Sequence, residues 1–293
     1  MRIASLIPSA TEIVFALNLG DDLVGVTFEC DYPPDPRQGR AVLVGGLDTH
    51  GLDAAAIDAL VREKVAAGEL LYTLDAERFR AADPDVVLTQ DLCRVCALPS
   101  GEVDRAMGRL GCTATVLTLD PHTLSEVLGT ILAVGEACGV RERAEALVES
   151  LERRVAAIRS AVAGRPRPRV FVLEWPDPPF IAGHWVPELV TLAGGDAVLA
   201  HPGGRSVPTT WAEIAEAQAD VVIVASCGFD LAGSVQHARE LSDRLPAAGA
   251  VWCIDANALV VRPGPRLIDG IETIAGILHG VGEPNPTGAV RFC

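Results

Sequence analysis

Lysine is nearly missing from this chain. Lys64 is the sole example, and 24 basic residues stand against 39 Asp and Glu, for a net charge of −15. Nucleic acid is therefore an improbable partner, since a phosphate backbone attracts basic surfaces. Aromatic residues are scarce too, at 4%. No apolar run approaches the roughly 20 residues of a transmembrane helix, so no membrane insertion is expected. Catalytic templates are also lacking: there is no GxxxxGK[ST], no GxGxxG after the first strand, no GxSxG elbow and no HExxH. Glu174 and Asp177 have the chemistry of an acid–base pair, but no partnered nucleophile accompanies them. Nothing in the sequence argues for an enzyme.

What is present is a chain of 293 residues, 49% hydrophobic, enough for one large domain or two lobes with sizeable cores. The opening MRIASLIPSATEIVFALNLG holds one Arg, and Ser5, Pro8, Ser9, Thr11 and Glu12 interrupt its apolar stretch early. That is unlike a signal peptide, and a cytoplasmic location is expected. The eight cysteines would then be reduced, serving as structural thiols, metal ligands or reactive groups.

Short apolar runs alternate with amphipathic helical stretches, which predicts parallel sheets flanked by helices. Strands are expected at 3–7, 23–27, 71–74, 85–89 and 115–119, with helices near 10–19, 53–67 and 101–110. Ser9 is expected to cap the first of these helices. Residues 123–162 are helix-compatible throughout, broken only around Cys138 and Gly139. Alternation resumes with strands at 170–173, 221–225 and 251–255 and helices near 187–193 and 265–279. The halves echo each other: RIASLI followed by EIVFALNLGDDLVG matches RVFVLE followed by ELVTLAGGDAVL, and AADPDVVLTQ matches AQADVVIVAS. The expected organisation is an α/β lobe over 1–139, a long linking helix over 140–164 and a second α/β lobe over 165–293.

Open parallel sheets bind ligands beyond the carboxyl ends of their strands. That rule selects Cys30 and Tyr32, then Cys93 and Cys96, then Glu174, Trp175, His184 and Trp185, then Cys227 and Phe229. It also selects Arg262, which follows the apolar run 259–261. Tyr32, Trp175, Trp185 and Phe229 are candidates for a flat apolar ligand surface, although loop packing explains any single one equally well. Glu174, His184 and Arg262 are candidates for polar ligand groups. Cys93 and Cys96 form a C-x-x-C step. With Cys30 and Cys227 they are candidate ligands for zinc or an iron–sulfur cluster, against the plainer reading of cysteine as a small buried hydrophobe.

The opening segment, ECDYP, DPDVVLTQ, EWPDPPFIAGHWVPELVTLAGG and RPGPRLIDGIE together resemble the cobalamin-type branch of the class III substrate-binding proteins, which serve importers of cobalamin, iron–siderophores and haem. The resemblance runs over nearly the whole chain. It implies two Rossmann-like α/β lobes joined by one long helix, a ligand held between the lobes, and an ABC importer as partner. The expected function is non-catalytic binding of cobalamin, a related corrinoid or another small-molecule metal chelate. A thiolate metal or cluster protein is the alternative. An enzyme acting on the bound compound is a third reading, and an importer receptor requires an export signal upstream of Met1.

Overall fold

The computed structural model describes residues 1–49, 51–91, 100–110, 112–282 and 288–293. The chain divides into two compact units, 1–121 with 126–148, and 122–125 with 149–293.

The first unit holds strands β1 (Ile3–Ser5), β2 (Leu23–Thr27), β3 (Ala41–Gly46), β4 (Tyr72–Leu74), β5 (Val86–Gln90) and β6 (Thr115–Leu119). Their order across the sheet is β4-β3-β2-β1-β5-β6. β1 and β5 are inner strands, buried along their whole length, including the polar Ser5, Thr89 and Gln90 at their carboxyl ends. The helices are α1 (Pro8–Ala16), α2 (Ala54–Ala66), α3 (Ala76–Ala82), α4 (Ser100–Leu110) and α5 (Leu124–Ala137); α1 crosses from β1 to β2 and α4 from β5 to β6, each a parallel pair. Asp53 and Asp75 cap α2 and α3 by accepting the amides of Ala56 and Arg78. Phe79 on α3 packs with Leu6, Leu43, Val87, Val103 and Met107 to form the core.

The long helix α6 (Arg141–Val162) follows α5 after a break at Gly139, whose φ of +69° suits a residue without a side chain. The boundary between the units falls inside α6. Beyond it, Arg154 of α6 pairs with Asp269 and Glu272.

The second unit contains β7 (Arg169–Pro176), β8 (Pro179–Ile181), α7 (Val186–Leu192), β9 (Asp196–Ala197), α8 (Trp211–Glu216), β10 (Val221–Val224), α9 (Leu231–Glu240), β11 (Ala250–Ile254), α10 (Ala256–Leu259), α11 (Leu267–His279) and β12 (Ala289–Arg291). The sheet order is β12-β11-β10-β7-β8, with β9 beside the start of β7. Phe171, Leu173, Val222, Val224, Val251 and Ile214 form its core. Asp230, Asp255 and a Thr210–Glu213 capping box start three of its helices.

The α/β organisation expected from the sequence is present, with four corrections. Neither sheet is wholly parallel: β4 pairs antiparallel with β3, β8 with β7 and β12 with β11. Each of these strands is short and lies at or beside a sheet edge, where a hairpin or a returning chain can pair. The run 259–261 is no strand: Leu259 closes α10 and 260–261 lie just past it, because Asp255 accepts the Ala258 amide and nucleates a helical turn. The strand over 41–46 was not among those expected. Ser9 does not cap α1: the cap position is Ile7, without a side-chain bond, and Ser9 sits inside the first turn behind Pro8.

Both units brace the amino ends of their central strands identically. Arg2 donates to the carbonyls of Ala82 and Asp83, and its amide donates to Asp85. Arg169 donates to the carbonyls of Ala217 and Gln218, and its amide donates to Asp220. Asp83 and Gln218 both adopt positive φ, at 39° and 45°.

Candidate functional site

In the second unit the sheet changes direction between β7 and β10. The chain hairpins into β8 on one side and crosses over to β10 and β11 on the other. Ligand sites of open α/β sheets favour the carboxyl side of such a switch point. There the Ala225 amide donates to Leu173 and the Cys227 amide donates to Glu174, so the two strand ends run out side by side.

Glu174 sits at the end of β7 with 9% of its surface exposed, and its Oε1 accepts the Gly183 amide at 3.0 Å. Burial pushes its carboxyl up to about 7, while the Gly183 amide and the Ser206 hydroxyl pull the other way. Ser206 also donates to the Ile181 carbonyl at 2.7 Å. Glu174 therefore ties β7 to the segments around 183 and 206. Sequence reasoning had placed it toward ligand; in the structure its carboxylate is engaged with its own loops.

Trp175 and Phe229 are half-buried, and their rings stand 6.0 Å apart at 48°. The indole Nε1 of Trp175 donates to the Asp177 carbonyl, orienting the ring. His237 of α9 lies edge-on to Phe229 at 4.6 Å and 6.5 Å from Trp175. Its Nδ1 is 2.9 Å from Ser226 Oγ. These two aromatic residues are brought together as expected.

Trp185 departs from the expectation of a ligand wall. It is 3% exposed, and its Nε1 donates to the Val260 carbonyl at 2.8 Å, which makes it a brace inside the unit. His184 is half-buried at a φ of +48°, with its ring 5.8 Å from His122 and 5.6 Å from Trp185. Arg262 is half-buried, and with Arg266 it opposes the rise that burial imposes on Asp255.

In the first unit, Tyr32 follows β2 and is 43% exposed. Cys30 beside it is buried, 3.1 Å from Thr11 Oγ1 and 3.7 Å from Thr27 Oγ1. Cys227 is exposed in the other unit. Cys93 and Cys96 lie outside the described residues. Among the described residues no three His, Cys, Asp or Glu side chains group as a metal site. Burial raises the thiols of Cys138 and Cys253, to about 11 and about 12, so both stay protonated at neutral pH.

His237 was missed, and Ser226, though it stands at a strand end the sequence marks, was given no role. The sequence held a signal for the serine, which ends the strand motif AQADVVIVAS. It held none for the histidine, which sits eleven residues on and reaches the site only because α9 folds back over β10.

The model of the family described as periplasmic binding protein matches residues 3–244. A vitamin B12-binding protein of Vibrio cholerae serotype O1 is 25% identical over 280 residues, covering 94% of this chain and 88% of that one. An uncharacterized ABC transporter substrate-binding lipoprotein of Bacillus subtilis is 26% identical over 295 residues, covering 95% and 80%. Among solved structures, a periplasmic heme binding protein from Pseudomonas aeruginosa aligns with a TM-score of 0.70 at 21% identity, covering 98% of this chain and 95% of that one. The periplasmic vitamin B12 binding protein of Vibrio cholerae aligns at 0.68 and 23% identity, covering 96% and 97%. At such identities the structural likeness establishes the fold.

Proposed function

The chain belongs to the periplasmic binding protein family, and from that premise we propose that it binds a macrocyclic metal chelate, a corrinoid first of all. The observation that carries this reading is the Trp175–Phe229 wall at the switch point of the second unit. Two tilted rings offer a large apolar surface with few rotamers to freeze, which suits the face of a conjugated macrocycle. Similarity over nearly the whole chain to a vitamin B12-binding protein supports the corrinoid choice. Likeness of fold to a heme-binding protein makes a porphyrin the nearest competitor.

In this reading Trp175 and Phe229 supply apolar contact, while His184 and Arg262 are the candidates for polar substituents. Glu174 acts indirectly, by holding the loops that frame the wall. The role is binding without covalent chemistry: Ser226 is fully buried, so its pairing with His237 does not present a nucleophile. An ABC importer is the partner class the reading suggests, given the Bacillus subtilis relative. Mass spectrometry of the mature N-terminus in cells separates an exported receptor from an intracellular carrier.

The test is titration of dicyanocobinamide, cyanocobalamin and hemin, followed by absorption and calorimetry. Micromolar or tighter binding of a corrinoid is expected, with Trp175→Ala and Phe229→Ala each weakening it about tenfold or more. Absence of any corrinoid binding at about 100 µM ligand, well above the affinity expected, refutes the corrinoid assignment.

A further inference from the structure

The Phe229 ring is seated on α9. A Cβ at Gly233 would stand 2.7 Å from Phe229 Cδ1 and 2.8 Å from its Cβ, so only glycine leaves room for the ring there. One turn along the same helix, His237 meets the ring edge-on at 4.6 Å and 74°. The backbone of Phe229 is held as well, its amide donating to Ser226 and its carbonyl accepting from Asn257. His237 is fixed in turn by the 2.9 Å bond to Ser226, whose side chain has no exposed surface. An apolar residue at 237 would fill the same space without desolvating an imidazole and a hydroxyl. What the polar pair adds is orientation, since a hydrogen bond fixes the rotation of a ring that packing alone leaves free.

We propose that His237 is a positioning residue for the ligand wall: held by Ser226, it sets the tilt of Phe229 against Trp175 and so favours the broad face of a macrocycle over a smaller ligand. The proposal rests on the reading of Trp175 and Phe229 as ligand contacts. Burial supports it by holding the imidazole below its ordinary pKa, with Glu240 opposing, so the ring at neutral pH is uncharged.

The experiment uses the full chain and three variants. His237→Asn keeps a polar atom toward Ser226 but removes the ring. His237→Phe keeps a ring but removes the bond, and Ser226→Ala removes the bond from the other side. Without ligand, the near-ultraviolet circular dichroism that disappears in Trp175→Phe is expected to be reduced in all three. With dicyanocobinamide as probe, each variant is expected to bind about tenfold more weakly. The Ser226→Ala/His237→Phe double variant should be no weaker than either single one, because both break one linkage. An unchanged near-ultraviolet signal in Ser226→Ala and His237→Phe overturns the proposal. A changed signal in a protein that binds neither corrinoid nor hemin leaves the positioning intact and removes the ligand class instead.

Discussion

The two units are alike at one end of their sheets and unlike at the other. At the amino ends, Arg2 and Arg169 make the same bonds to a helix end in left-handed conformation, and Asp85 and Asp220 accept the same amides. At the carboxyl ends, register with β5 and β10 sets Ile7 opposite Glu174 as equivalent positions, one a buried isoleucine and the other a buried acid. After β2, the first unit offers a buried Cys30 and an exposed Tyr32. After β7 and β10, the second builds an aromatic wall on a helical seat. The repeated fold thus keeps one end of its sheets and varies the other, and loops on a rigid scaffold are where proteins commonly vary.

The comparison can be broken most forcefully at the cores. Phe79 and Phe171 are fully buried, one in each unit. Phe79→Ala and Phe171→Ala are each expected to cost about 3–5 kcal/mol. Hydrogen exchange should accelerate mainly within the mutated unit. Equal acceleration across both would deny that each has a core of its own.

Next in size is the acid that only the second unit carries. Glu174 titrates at about 7 in the fold against an ordinary 4.5. Between those values the native state holds a proton that the unfolded chain has released. Stability from this group is therefore full below the lower value and is lost as pH rises through the upper one, by about 3 kcal/mol in all. Glu174→Gln should flatten the fall in melting temperature between pH 5 and pH 8. An unchanged slope would place the titration elsewhere.

The braces predict symmetry. Arg2→Ala and Arg169→Ala are each expected to lose about 1–2 kcal/mol, because both guanidinium groups are partly exposed and bond neutral carbonyls. Denaturant midpoints that differ widely between them would show that the repeat is one of shape without shared energetics.

The smallest effect sharpens the contrast in thiols. Alkylation of the native protein should label Cys227 and Cys293, which are exposed, and spare Cys30, Cys138 and Cys253, which are buried. Peptide mass spectrometry reads this directly. Rapid labelling of Cys30 would mean that the end of β2 opens.

Much of this was legible from the residues. Runs such as LVGVT and VVLTQ mark strands because an inner parallel strand is buried on both faces. The break at Gly139 and the stripe of Ala144, Leu147, Val148 and Leu151 mark α6. Trp175 and Phe229 could be picked out because one stands near the end of a strand and the other in the loop after one, in a chain poor in aromatics. The strand at 71–74 was legible but its antiparallel pairing was not, and β8 and β12 were not expected at all, since three residues carry no period and pair by proximity alone.

The sequence by itself determined the α/β alternation, the repeat of the two units and the strand ends that carry Trp175 and Phe229. These follow from local patterns of burial that neighbouring residues write into the chain. Only the tertiary structure decided that Trp185 is a brace, that Glu174 faces its own loops and that His237 stands behind Phe229. Each of these depends on contacts between separate elements folded onto one another, such as Trp185 with Val260 or His237 with Ser226. Which atom satisfies a buried polar group is settled when the helices close over the sheet, and no local spacing records it.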